Sequence, residues 1–238
     1  MSGRATVVKS ANEEPRAVPA QPGHPFSRLI GAVFLPHGPV PSRHRIDALR
    51  AGIGGAGLCA TALLAASDQV SDLERTVFEA INALPSAAAP PLWLVMQAGG
   101  FPTVFVTAGL ALAARRRRLA AAVVVGGTTT WLLAKAIKQL VDRGRPSAFF
   151  HDVFAYGPPA TGLGYTSGHA AVAAVIMTVA APYLTRPARV VGWVVVGLVA
   201  FTRVFIGAHL PLDAVGGLLL GWTVGSVVNL LFGTPGHH

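Results

Sequence analysis

Six stretches of this chain carry no charged residue: 51–67, 80–114, 119–134, 170–185, 190–202 and 214–233. No other feature limits its folding as strongly. A helix that crosses a bilayer needs about 20 predominantly apolar residues. Its backbone must satisfy its own hydrogen bonds, because hydrocarbon offers none. Hydrophobic residues make up 52% of the chain and charged residues only 12%, which argues against both a disordered chain and an ordinary soluble domain. The window 80–114 is interrupted by Pro85, Pro90, Pro91 and Pro102. It therefore predicts a short interfacial helix around 72–84 and then a span near 90–114. Several windows are shorter than a full span, so their polar ends must face protein or water. The expectation is an all-α, six-transmembrane-helix bundle over 47–233, followed by a short tail, 234–238.

Residues 1–46 differ in composition, being rich in Pro, Ser, Arg and His and lacking a long apolar run. They are expected to form a mostly disordered cytoplasmic tail with no signal peptide. The single cysteine, Cys59, excludes an internal disulfide and a cysteine zinc cluster. The net charge of +9 points to an anionic membrane. The basic residues sit at the ends of apolar runs, and no basic groove interleaved with aromatics is visible, so nucleic acid is not an expected partner.

Arg43, Arg45 and Arg50 precede the first window, Arg115–Arg118 separate the second from the third, and Arg186 and Arg189 separate the fourth from the fifth. With six spans these clusters share one face, which the positive-inside rule makes cytoplasmic, along with both termini. The exceptions carry the information. Lys138, Arg143, Arg145, Arg203, His169, His209 and Asp213 all fall at the opposite, extracytoplasmic face. Cations near hydrocarbon are costly, so a grouped set marks a functional site.

Three stretches hold that set. Lys138 and Arg145 are seven apart, two helical turns, and Pro146 follows. Thr166-Ser167-Gly168-His169 stands before an apolar helix, whose start offers free N–H groups and a positive dipole end for a phosphate. His209 and Asp213 are four apart, so the carboxylate can hold one ring nitrogen and leave the other free to attack. Cations to bind a phosphoryl group, one carboxylate-oriented histidine and a second histidine as proton donor describe covalent phosphoryl transfer. The cations supply the positive charge, so no metal or other cofactor is expected. Asp142 and Asp152 alone are weak magnesium candidates. Arg143 is read either as a possible headgroup contact or as a solvated neighbour.

The stretches resemble the signatures of the type 2 phosphatidic acid phosphatase (PAP2) superfamily, Lys-x6-Arg-Pro, Pro-Ser-Gly-His and Ser-Arg-x5-His-x3-Asp. Here they read Lys138-x6-Arg145-Pro146, Thr166-Ser167-Gly168-His169 and Thr202-Arg203-x5-His209-x3-Asp213. Thr166 departs from the usual proline and Thr202 from serine; neither change removes a catalytic group. The resemblance implies that His209 is a nucleophile forming a phosphohistidine, that Asp213 orients it and that His169 is the general acid. It implies that Lys138, Arg145, Ser167, the Gly168 amide and Arg203 bind phosphate. It further implies a multi-pass phosphatase of the plasma membrane acting on phosphatidic acid, phosphatidylglycerol phosphate or a polyprenyl (undecaprenyl) phosphate or diphosphate. Two other readings stay open: a phosphotransferase with an acceptor other than water, and a non-catalytic lipid-phosphate binder or transporter. A soluble haloperoxidase does not fit the composition.

Overall fold

A computed structural model describes residues 30–35, 41–67, 69–157 and 161–235. Nine helices account for most of them: α1 (Arg45–Ala65), α2 (Asp72–Asn82), α3 (Ala89–Met96), α4 (Pro102–Ala113), α5 (Arg117–Val141), α6 (Pro146–Phe149), α7 (Gly168–Ala180), α8 (Arg186–Phe205) and α9 (Pro211–Phe232). Two short strands, β1 (Pro41–Ser42) and β2 (Thr234–Pro235), pair antiparallel and tie the two ends of the bundle's chain together. Most of the tail expected over 1–46 lies outside the described residues. Within it, residues 32–35 are bonded to the start of α8 and the turn before it: Thr185 N–H donates to Val33 O and Leu35 N–H to Tyr183 O.

By length and composition, α1, the stretch from α5 through α6 (Arg117–Phe149), α8 and α9 can each cross a membrane. The span expected near 90–114 is not one straight helix. It is two segments, 86–99 and 102–113, bent by 67°. The break falls at Gly99-Gly100-Phe101-Pro102. Gly99 packs against the carbonyl of His169 so closely that a Cβ would collide with it. Counting the bent pair as one span gives five, and α7 with its following turn (Gly168–Tyr183) is a shorter apolar helix.

α7 is the centre of the bundle. It is apolar all round, and ten of its thirteen residues are buried, as expected of a helix with no solvent or lipid face. α5, α8 and α9 surround it. α9 approaches it along Gly217, Gly221 and Gly225, four residues apart on one face. A Cβ at these positions would meet Ser167 O, Ala171 O and the Thr178 side chain. Such small-residue stripes let two backbones come together where lipid gives no hydrophobic drive for association. The outer helices instead turn leucine and valine outward, with Leu63 76%, Leu94 72%, Val191 62% and Leu231 64% exposed. A belt of that size suits hydrocarbon rather than water.

α2 is the amphipathic helix expected at the interface. Ser71 caps it, its Oγ accepting from Glu74 N–H at 3.2 Å. It buries Glu74, Phe78 and Asn82, one turn apart on the same face. Two of those three are polar, so the surface they meet must offer polar partners.

Candidate active site

The site is assembled at one end of the bundle from the end of α5, the start of α7, the end of α8 and the start of α9. α5 stops because Asp142 adopts a left-handed conformation (φ 50°) and closes the helix. An aspartate tolerates that region better than most residues. The reversal leaves Lys138 in the last turn and sends Arg143 and Arg145 off the helix. Pro146 then starts α6.

The loop before α7 gathers these side chains. Lys138 Nζ donates to Leu163 O (2.9 Å) and Gly164 O (2.7 Å). Arg145 Nε donates to Thr161 O (2.8 Å), and its Nη1 donates to Ala208 O (2.6 Å), next to His209. Gly164 N–H donates to Arg143 O (2.7 Å), and Ser167 N–H to Asp213 O (2.9 Å). A Cβ on Gly164 would press on Gly144 O and Asp213 Oδ2. The glycine is what lets α5's exit, this loop and α9's start converge.

His209 is 2% exposed. Its Nδ1 lies 3.4 Å from Asp213 Oδ2. That same oxygen accepts the Leu210 N–H at 3.0 Å, so Asp213 both caps α9 and faces the imidazole. With Nδ1 turned to the carboxylate, Nε2 is the nitrogen left for chemistry. Burial foremost, and then the positive charges of Arg203, Lys138 and Arg145, push the His209 pKa well below its ordinary 6.5. The unprotonated, nucleophilic form is therefore favoured. Arg203, Lys138, Arg145, His169 and His209 thus share one electrostatic neighbourhood. His209 N–H also donates to Arg203 O (3.1 Å), which ties the end of α8 to the site.

Several polar atoms here are buried without a partner among the described residues: Ser167 Oγ, Arg203 Nε and His209 Nδ1, the last at 3.4 Å from its carboxylate. Arg203 Nη1 has only Met96 Sδ at 3.0 Å. Unsatisfied buried donors are rare and costly, and an oxyanion is the group that donors and cations at a helix start would hold. Among the described residues no cluster of three or more His, Cys, Asp or Glu is placed to hold a metal ion.

Arg143 departs from its expected place. It is 0% exposed, so it does not face a headgroup. Its Nη1 bonds Asp213 Oδ1 and Glu74 Oε1, each at 3.1 Å, and its Nη2 bonds Glu74 Oε2 at 2.6 Å. Burial works against its charge, and the hydrogen bonds to the Glu74 and Asp213 carboxylates compensate it. Glu74 Oε1 also accepts Leu212 N–H at 2.9 Å, reaching the first turn of α9. Glu74 lies outside the three motif stretches. Its signal was the S-x-x-E start of α2, with Glu74, Phe78 and Asn82 at helical spacing.

A family model described as the PAP2 superfamily matches residues 103–235. The chain belongs to the PAP2 superfamily. All three motif stretches lie within the matched region. Over 93 residues the chain is 31% identical to an undecaprenyl-diphosphatase of Sulfolobus acidocaldarius, covering 38% of this chain and 44% of that protein. The match thus spans less than half of that relative's length. Two solved structures share the PAP2 fold. LpxE of Aquifex aeolicus has a TM-score of 0.62 at 21% identity, over 66% of this chain and 95% of its own. The first transmembrane PAP2-type phosphatidylglycerolphosphate phosphatase from Bacillus subtilis has a TM-score of 0.57 at 20% identity, over 73% and 93%.

Proposed function

We propose that this PAP2 chain is an integral membrane phosphatase that hydrolyses a lipid phosphate or diphosphate through a phosphohistidine at His209. The observation that carries the reading is His209 itself: buried, kept neutral, facing Asp213 through Nδ1 and surrounded by Lys138, Arg145 and Arg203. Glu74, Asp213 and Arg143 together carry one negative charge, and the three outer cations add three positive. The resulting net +2 matches a phosphate dianion.

The cations, Ser167 Oγ and the Gly168 amide hold the phosphoryl oxygens. The Nε2 lone pair of His209 attacks phosphorus, and a P–N bond forms as the P–O bond to the leaving group breaks. His169 gives that oxygen its proton. Asp213 stabilises the charge that develops on the imidazole. Water then attacks the phosphohistidine, His169 takes a proton from it, and inorganic phosphate leaves.

The substrate keeps its tail in the bilayer and brings its phosphate to the ends of the helices. The similarity to an undecaprenyl-diphosphatase favours a polyprenyl diphosphate. In this reading the bundle has six spans, α7 being the short one, and the site opens on the extracytoplasmic face of the plasma membrane.

The test is phosphate release from a panel of lipid phosphates by the purified protein. His209→Ala is expected to abolish release while the protein elutes unchanged on gel filtration, and EDTA is expected to leave the wild-type rate intact. Full activity of the variant, or loss of activity with EDTA, overturns the mechanism.

A further inference from the structure

A cavity of about 790 Å³ opens at the end of the bundle away from His209. It lies between the start of α1 and the start of α8, with α7 and α9 behind it. Its polar lining comes from His44, Asp47, Arg50 and Arg189, and its apolar lining is dominated by Trp193 and Trp222. None of these residues has a part in phosphoryl transfer.

The polar end is constructed. Asp47 is 3% exposed and holds Arg50 through Nη1 at 3.1 Å. That contact holds one end of the Arg50 guanidinium, and no other hydrogen-bond partner for it lies among the described residues. Arg189 donates Nη2 to Leu184 O at 3.2 Å, and its buried Nε has no partner among the described residues. Two arginines, one anchored by a buried carboxylate and one with an unanswered buried donor, ask for an anion. The walls ask for something else. Tryptophans between membrane helices sit at the junction of headgroup and chain, and apolar walls of this volume gain nothing from a small soluble anion. A zwitterionic headgroup would bring an ammonium toward two guanidinium groups.

We infer that this cavity binds an anionic phospholipid, its phosphodiester between Arg50 and Arg189 and its acyl chains between α1 and α8 against Trp193 and Trp222. Basic pockets between membrane helices recognise anionic headgroups in this way. The inference needs only a bilayer and is independent of the proposed reaction.

The test uses the full chain with Trp93→Phe and Trp131→Phe, which leaves Trp193 and Trp222 as the emitters. It is placed in phosphatidylcholine vesicles that contain increasing fractions of either phosphatidylglycerol or phosphatidylcholine with brominated acyl chains. Half-maximal quenching is expected at a fraction about tenfold lower for the brominated phosphatidylglycerol. The preference is expected to vanish when Arg50→Gln and Arg189→Gln are added, in protein whose helical circular dichroism and gel-filtration profile are unchanged. Equal quenching by both lipids overturns the inference. So does a preference that survives the arginine substitutions, or quenching by neither lipid, which would mean that protein fills the cavity.

Discussion

At the scale of single residues, Glu74 and Asp213 both lean on one guanidinium. Arg143 is their shared partner, and Asp213 is the partner of His209. Glu74 touches no reacting atom in the proposed mechanism, yet it sets where Arg143 sits and therefore where Asp213 points. Glu74→Gln keeps the shape but removes a charge. It is expected to lower stability by about 1.5–3 kcal/mol, the worth of a hydrogen bond to a charged group. It is also expected to lower kcat by up to about 100-fold, the cost of slight misplacement. KM should move much less, because the phosphate-binding cations are untouched. Steady-state kinetics with thermal unfolding checks this, and a change confined to KM would contradict it. His209 carries its own prediction. Its imidazolium is disfavoured by burial and by the cations Arg203, Lys138 and Arg145, so it releases its proton at lower pH than a free imidazole. In ligand-free protein with labelled histidine, the NMR signal that disappears in His209→Ala should remain that of a neutral ring as pH falls through 6.5. Protonation at or above that value would remove the reason His209 is ready to attack.

The secondary-structure elements divide into those legible in the sequence and those that packing decided. The charge-free windows located α1, α5, α7, α8 and α9, because a membrane helix must satisfy its own backbone and so shows as an unbroken apolar run. The motif residues were legible for a related reason. Lys138 and Arg145, or His209 and Asp213, lie within a few residues of each other, at spacings that a helix or its end converts into proximity. The Glu74–Arg143 pair spans 69 positions, and no local period encodes such a contact. Arg143 was misplaced for the same reason: an arginine beside a membrane face looks exposed until its distant carboxylate is known. The prolines foretold an interruption in 80–114 but left 90–114 as one span; the bend inside it follows from Gly99 seating on the His169 carbonyl. The glycine stripe of α9 has a measurable consequence. Gly221→Val would press its side chain on Ala171 O and force α7 and α9 apart. Overpacking of this kind costs roughly 1–3 kcal/mol or more. Because Ser167 and His169 ride on the start of α7, activity should fall with stability, although position 221 lies about two turns beyond Asp213 on α9. Gly197→Val, in α8 where a Cβ meets nothing, is the matched control and should leave both unchanged.

For the whole molecule, charge distribution and catalytic chemistry make one joint demand on orientation. The turn at Arg115–Arg118 and the arginines at 186 and 189 are at one end of the bundle, and the His209 cluster is at the other. If positive-inside bias sets the topology, the site must open outside the cell, where a diphosphate headgroup is reached from the outer leaflet. Single cysteines in a Cys59→Ser background decide the matter. Arg117→Cys and Asp152→Cys both replace exposed residues, at opposite ends. In intact bacterial cells a membrane-impermeant maleimide should label position 152 at once, and position 117 only after permeabilisation. The reverse pattern would put His209 at the cytoplasmic surface. The fold and the chemistry could both survive that result, but the substrate would then have to be a lipid phosphate presented by the inner leaflet, and the three arginine clusters would need a reason other than topology.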